Sequence, residues 1–95
     1  MTNITLIGRL TKDVDIVKTR SGNTFGSTSI ACTTGKDETS FFNLNLTEKQ
    51  AEILSKWCGK GKRICVSGEI KQKEKYYNVY VEKFSIIDFK ESDAQ

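Results

Sequence analysis

A mostly-β barrel carrying a single helix is the fold class this sequence predicts, and three observations predict it. Of the 95 residues, only 47–61 (TEKQAEILSKWCGKG) show helical spacing with punctuation at both ends. The flanking runs, 3–10 and 25–46 before it and 63–73 and 76–89 after it, alternate apolar and polar side chains with the period of two that a pleated strand imposes. Their order is three strands, one helix, then two strands. That is the order of the OB-fold, a five-stranded Greek-key barrel whose helix lies between strands three and four.

The first strand places Ile4, Leu6, Gly8 and Leu10 on one face and Thr5, Ile7 and Arg9 on the other. With apolar residues on both faces, its outer side is suited to meeting a second chain. Ser21-Gly22-Asn23 supplies turn chemistry, with Gly22 free to take positive φ, so strands one and two are expected to form a hairpin. Strand two runs from Phe25 through Ser27, Ser29 and Ile30 to Thr33, and Gly35-Lys36-Asp37 ends it. In strand three Phe42, Leu44 and Leu46 share one face and Phe41, Asn43 and Asn45 the other. A barrel interior is apolar, so the leucine face goes inside and Phe41 is left in solvent.

Thr47 and Gln50 form a capping box at the helix start. Ala51, Leu54 and Cys58, with Ile53 and Trp57 beside them, make an apolar stripe, and Trp57 is read as core. Gly59 and Gly61 are expected to end the helix in left-handed geometry. Strand four alternates Ile64, Val66, Gly68 and Ile70 with Arg63, Cys65, Ser67, Glu69 and Lys71. A short turn at 72–75 leads to strand five, where Tyr77, Val79 and Val81 oppose Tyr76, Asn78 and Tyr80.

The length suits one domain, assigned to residues 1–89, with a short flexible tail at 90–95. No apolar run approaches the roughly 18 residues needed to span a membrane, and Gly8-Arg9 interrupts the N-terminus before it reads as a secretory signal, so cytoplasm is the expected compartment. The 3 cysteines form no CxxC pair and there is no histidine, which argues for reduced, structural thiols and against zinc or another metal. No cofactor motif is present, and without a phosphate loop or a base-activated nucleophile an enzyme is not expected. The net charge of +3 is compatible with a nucleic-acid partner without requiring one.

Binding single-stranded nucleic acid takes rings on which bases stack and cations that follow the phosphates. Phe41 offers the ring, and Asn43 and Asn45 add amides beside it. Lys71, Lys73 and Lys75 leave the end of strand four, Lys60, Lys62 and Arg63 cluster before it, and Lys49 sits in the first helical turn. Tyr76 and Tyr80 have two open roles, as further stacking rings or as packing against a neighbouring subunit. Against all this, lysines at hairpin tips and single exposed rings are ordinary surface features. A second reading is an OB-fold replication accessory or adaptor whose main ligand is another protein.

Residues 3–13 (NITLIGRLTKD), 19–22 (TRSG), 39–46 (TSFFNLNL), 49–61 (KQAEILSKWCGKG) and 64–71 (ICVSGEIK) resemble, in this order, the bacterial and phage single-stranded DNA-binding proteins, the SSB family. The resemblance implies sequence-nonspecific coating of single-stranded DNA in replication, recombination or repair, by a homo-oligomer, dimer or tetramer. It puts Phe41 at a base-stacking position and Lys49, Lys60, Lys71 and Lys73 at phosphate-facing ones. Departures are visible. A second family ring would fall near Lys36 and a third at Thr47, and the long hairpin after strand four is cut to 72–75, with Tyr76 or Tyr77 as nearest substitute. The acidic, hydrophobic tip that recruits other proteins has no counterpart in the closing ESDAQ, so recruitment by that route is not expected. A compact member of phage or mobile-element type fits these departures.

Overall fold

Strand alternation closes this chain on itself. The computed structural model describes residues 2–90. The elements run β1 (Asn3–Leu10), β2 (Asp15–Lys18), β3 (Thr24–Gly35), β4 (Glu38–Thr47), α1 (Glu48–Trp57), β5 (Arg63–Lys73) and β6 (Tyr76–Ile86). They form one sheet in the order β1-β5-β6-β4-β3-β2, and a further β1–β3 pairing closes it. Pairing is antiparallel except between β4 and β6, which run parallel. The expected OB barrel is therefore present, made by β1, β3, β4, β5 and β6.

The extra element is β2. It lies along the same side of β3 as the end of β1: Leu10 pairs with Ile30, and Asp15 then pairs with Ser27. Between them the chain leaves the ladder at 11–14 but stays tied to β3 by hydrogen bonds. Thr11 donates its amide to the Ser29 carbonyl, and the buried Thr28 hydroxyl donates to the Lys12 carbonyl. The hairpin at Ser21-Gly22-Asn23 forms as expected, with Gly22 at φ 89°, but it joins β2 to β3. Four residues with no buried side chain carry too little alternation to announce a strand.

Leu6, Leu10, Ile30, Leu44, Leu46, Ile64, Val66, Val79 and Val81 fill the barrel, and Ala51, Leu54 and Cys58 of the helix segment close one end. Cys32 and Cys58 are buried free thiols, and burial raises both above the ordinary thiol range; Cys65 is free and half-buried. The capping box is present: the Gln50 amide donates to Thr47 Oγ1 at 3.2 Å, and the Thr47 amide to Gln50 Oε1 at 2.9 Å. Gln50 also donates its side-chain amide to the Val81 carbonyl at 3.1 Å, tying the cap to β6.

The helix ends differently from the expectation. Cys58 caps it in extended geometry (φ −141°), and the positive φ of Gly61 serves the following turn instead. The unpaired carbonyls of the last turn find distant partners: Lys90 donates its amide to Trp57 O at 2.8 Å and Nζ to Ser55 O at 2.9 Å. Trp57 and Ile53, expected inside, are 43% and 42% exposed. Gly26 and Ala51 meet closely where the helix packs on the barrel, and Trp57, six residues on and so about 240° round the helix, turns away from that contact.

Gly68 lies at the bulge where β5 and β6 shift register. A Cβ there would overlap the Tyr80 carbonyl oxygen, which is backbone and cannot swing aside. Gly68→Ala should cost about 1–3 kcal/mol by overpacking. For a domain of this size each kcal/mol lowers Tm by about 4–8 °C, so a melting curve superimposed on wild type would contradict this packing.

Candidate nucleic-acid interface

Strand β4 runs between β3 and β6, and its outward residues share rows with theirs. Asn43 pairs with Ser29 on one side and Asn78 on the other, and Asn78 pairs in turn with Lys71. Asn45 pairs with Ser27 and Tyr80. Paired residues point to the same face of a sheet, so Phe41, Asn43, Asn45, Tyr76, Asn78, Tyr80, Lys71 and Lys73 stand together outside the barrel. Phe41 is 62% exposed, as its register requires. Asn43 donates to Asn78 Oδ1 at 3.4 Å, linking the rows.

Three clefts follow this face, the first two sharing Asn43 and Tyr76. The first, about 600 Å³, lies between Phe41 and Tyr76 with Phe42 and Tyr77 at its back. The next, about 300 Å³, is bounded by Asn43, Lys73, Tyr76 and Asn78. The third, about 340 Å³, runs from Asn45 and Tyr80 to Phe25 and Thr47. From Phe41 to Thr47 the track covers about 20 Å at the usual strand rise.

Cations flank the rings. Lys71 Nζ lies 5.1 Å from the Tyr80 ring centre and Lys75 Nζ 5.6 Å from that of Tyr76. Both contacts are within cation–π range and keep the ammonium groups beside ring faces. A two-residue turn at Glu74-Lys75 makes this possible, with Glu74 at φ 57° and Lys73 paired to Tyr76.

The other basic residues are elsewhere. Arg63 begins β5, eight positions from Lys71 and so roughly 25 Å away along the strand. Its guanidinium is engaged by Asp88, Nε to Oδ2 at 2.8 Å and Nη2 to Oδ1 at 3.2 Å. The Lys60 amide donates to Asp13 Oδ1 at 2.9 Å, and the Lys62 carbonyl accepts from Leu10 at 3.0 Å. Lys60, Lys62 and Arg63 therefore belong to the seam between β1, β5 and the helix end. Lys49 is exposed on the helix, just beyond the end of the track at Thr47.

Phe25 and Asn78 were missing from the sequence-derived set, while Lys75 and Tyr77, named there among the hairpin cations and as a possible substitute ring, both border the first cleft. Phe25 has its signal in the alternation of strand two, where Gly26, Thr28 and Ile30 are buried and Phe25, Ser27 and Ser29 therefore point out. Asn78 becomes visible only through its pairing with Asn43. Tyr77 faces the barrel mouth against Phe42 (ring centres 6.0 Å apart) yet stays exposed, because the β5–β6 hairpin projects past the barrel end.

Fold and face together define an OB barrel with a track of rings, amides and lysines over four adjacent strands, β5, β6, β4 and β3. Comparison with known proteins narrows this class. The single-strand binding protein family matches residues 1–86, and the chain belongs to that family. It is 35% identical to Single-stranded DNA-binding protein 1 of Streptococcus pyogenes, over 97% of this chain and 82% of that protein. It is 34% identical to Single-stranded DNA-binding protein B of Bacillus subtilis, over 82% and 78%. In fold it resembles a mitochondrial single-stranded DNA binding protein from S. cerevisiae (TM-score 0.82, 16% identity, 95% and 97% covered). The second single-stranded DNA binding protein of Mycobacterium smegmatis is also similar in fold (TM-score 0.78, 16% identity, 90% and 88% covered).

The Arg63–Asp88 pair has a pH signature. Hydrogen bonding from Arg63 holds the Asp88 carboxyl below its ordinary range. A depressed carboxylate stabilises the fold fully above its unfolded value, near pH 4, and this contribution disappears as pH falls through the folded value. Asp88→Asn should therefore melt below wild type at pH 7, with the gap narrowing towards pH 2. A gap independent of pH would show that the pair does not titrate with folding.

Proposed function

We propose that this protein binds single-stranded DNA with little sequence preference, without catalysis, coating it during replication, recombination or repair in the cytoplasm. The observation that carries this is the coincidence, on one outward face, of Phe41, Tyr76, Tyr80 and Phe25 with Lys71, Lys73 and Lys75. Every base has a π-face, so rings accept any sequence, while lysines meet the phosphates. Asn43, Asn45 and Asn78 supply amide donors and acceptors to the base edges or sugars. Family membership and the names of the relatives support the same ligand.

The face also bears on the ring that the resemblance would put at Thr47. Phe25 pairs directly with Thr47, so a ring from the neighbouring strand reaches the same place. Tyr76 takes the part of the shortened hairpin. On this reading two of the three family rings are supplied from neighbouring positions, by Phe25 and Tyr76, and the one near Lys36 is not. Lys49 extends the track onto the helix, while Lys60, Lys62 and Arg63 contribute to the field around the barrel rather than to direct contact with the Phe41 track.

Self-association belongs to the same proposal. Ile7 is 61% exposed on the outer face of β1, beside Thr5 and Arg9, and a second subunit covering it would remove apolar surface from water.

Phe41→Ala should weaken oligo(dT) binding about tenfold or more, since stacking is worth roughly 1–3 kcal/mol per base. Fluorescence anisotropy would measure it, and unchanged affinity would remove Phe41 from the site. Lys71→Ala and Lys73→Ala should each flatten the log–log salt dependence by about 0.7, the single-strand value per phosphate. Ile7→Lys should lower the mass measured by light scattering to that of a monomer, and an unchanged mass would place the subunit contact elsewhere.

A further inference from the structure

The helix carries an unassigned stripe. With 3.6 residues per turn, Lys49, Ile53, Lys56 and Trp57 fall within about 100° of arc on its exposed side, while Glu48 and Glu52 lie on the adjoining one. Ile53 and Trp57 are exposed despite their size. Lys56 Nζ lies 5.1 Å over the Trp57 ring, and Phe89 meets that ring edge-on with centres 6.4 Å apart. Lys90 holds the assembly in place through its bonds to Ser55 O and Trp57 O, so the two rings are docked against a capped helix end.

The stripe begins where the strand track stops. Strand β4 ends at Thr47, the helix cap, and the third cleft opens there between Phe25 and Tyr80. Gln50 bonds the Val81 carbonyl, so this flank of the helix faces β6, and Trp57 follows Gln50 two turns later on that flank. Rings beside ammonium groups are the same chemistry as the track, now repeated roughly 15 Å further along the helix.

We infer that the stripe ending in Trp57 and Phe89 is a second single-stranded DNA subsite, reached by a strand that has filled the β4 track and continues over the helix. This rests on the DNA-binding proposal and extends it. The strand track takes the first bases, Lys49 and Lys56 meet the following phosphates, and Trp57 offers its face to a later base. Short oligomers therefore occupy the track alone, and longer ones reach both.

Trp57 is the single tryptophan of the chain, so its emission reports directly on this subsite. Wild-type protein is titrated with fluorescently labelled oligo(dT) of about 4 and about 16 nucleotides, the range one OB fold covers, following both label anisotropy and tryptophan emission. The short oligomer should raise anisotropy and leave emission unchanged, whereas the long one should raise anisotropy and quench emission. Trp57→Ala should weaken the long oligomer about fivefold or more and leave the short one unaffected. Emission that stays constant while the long oligomer binds overturns the subsite, as does equal quenching by both lengths. If neither length raises anisotropy, the DNA-binding proposal itself fails. Because the primary readout uses the unmutated chain, misfolding of the variant cannot mimic either result.

Discussion

The register of β4 is the constraint from which the face follows. Leu44 and Leu46 are buried, and the strand is clamped by β3 on one side and β6 on the other. A slip by one residue would expose both leucines, at about 1.5–3 kcal/mol each, and bury Asn43 and Asn45, at roughly 1–3 kcal/mol each. Together that is of order 5–12 kcal/mol, comparable with the whole stability of a small domain. Phe41 is therefore held in solvent by the burial of residues three and five places beyond it. The exposure of the ring is secured by the core.

The neighbours of β4 convert that constraint into a surface. Parallel pairing with β6 sets Asn78 beside Asn43 and Tyr80 beside Asn45, and the tight β5–β6 turn returns Lys71 and Lys73 to the same side. The cations divide between two environments. On the hairpin, Lys71 and Lys75 lie over ring faces, and Lys71 Nζ is also 4.0 Å from Glu69 Oε1. Arg63, in contrast, is held by two hydrogen bonds from its guanidinium to Asp88, and the amide of Lys60 bonds Asp13. Exposed pairs of this kind contribute little stability. Their effect is positional, since they fasten the 59–62 turn and the strand after it to the rest of the barrel.

At the helix end, the last carbonyls are satisfied from 30 or more residues away rather than by a local glycine. Extended Cys58 buries its side chain and sends the chain towards β5, and Lys90 returns after β6 to complete the cap. That closure brings Phe89 against Trp57 and leaves both rings at the surface.

By itself the sequence determined the period of each long strand, the capping box at Thr47 and Gln50, the outward direction of Phe41 and the class of barrel. Each of these depends on residues within a turn or a few places along a strand, where spacing alone decides the cost of the alternatives. The tertiary structure decided the rest. Only strand pairing brings Phe25 opposite Thr47 and Asn78 beside Asn43. Only contact with Asp88 removes Arg63 from the free cations, and only the return of the chain after β6 sets Phe89 against the Trp57 ring. Those outcomes depend on residues distant in the chain, whose proximity is produced by closure of the barrel and is not written in any local pattern.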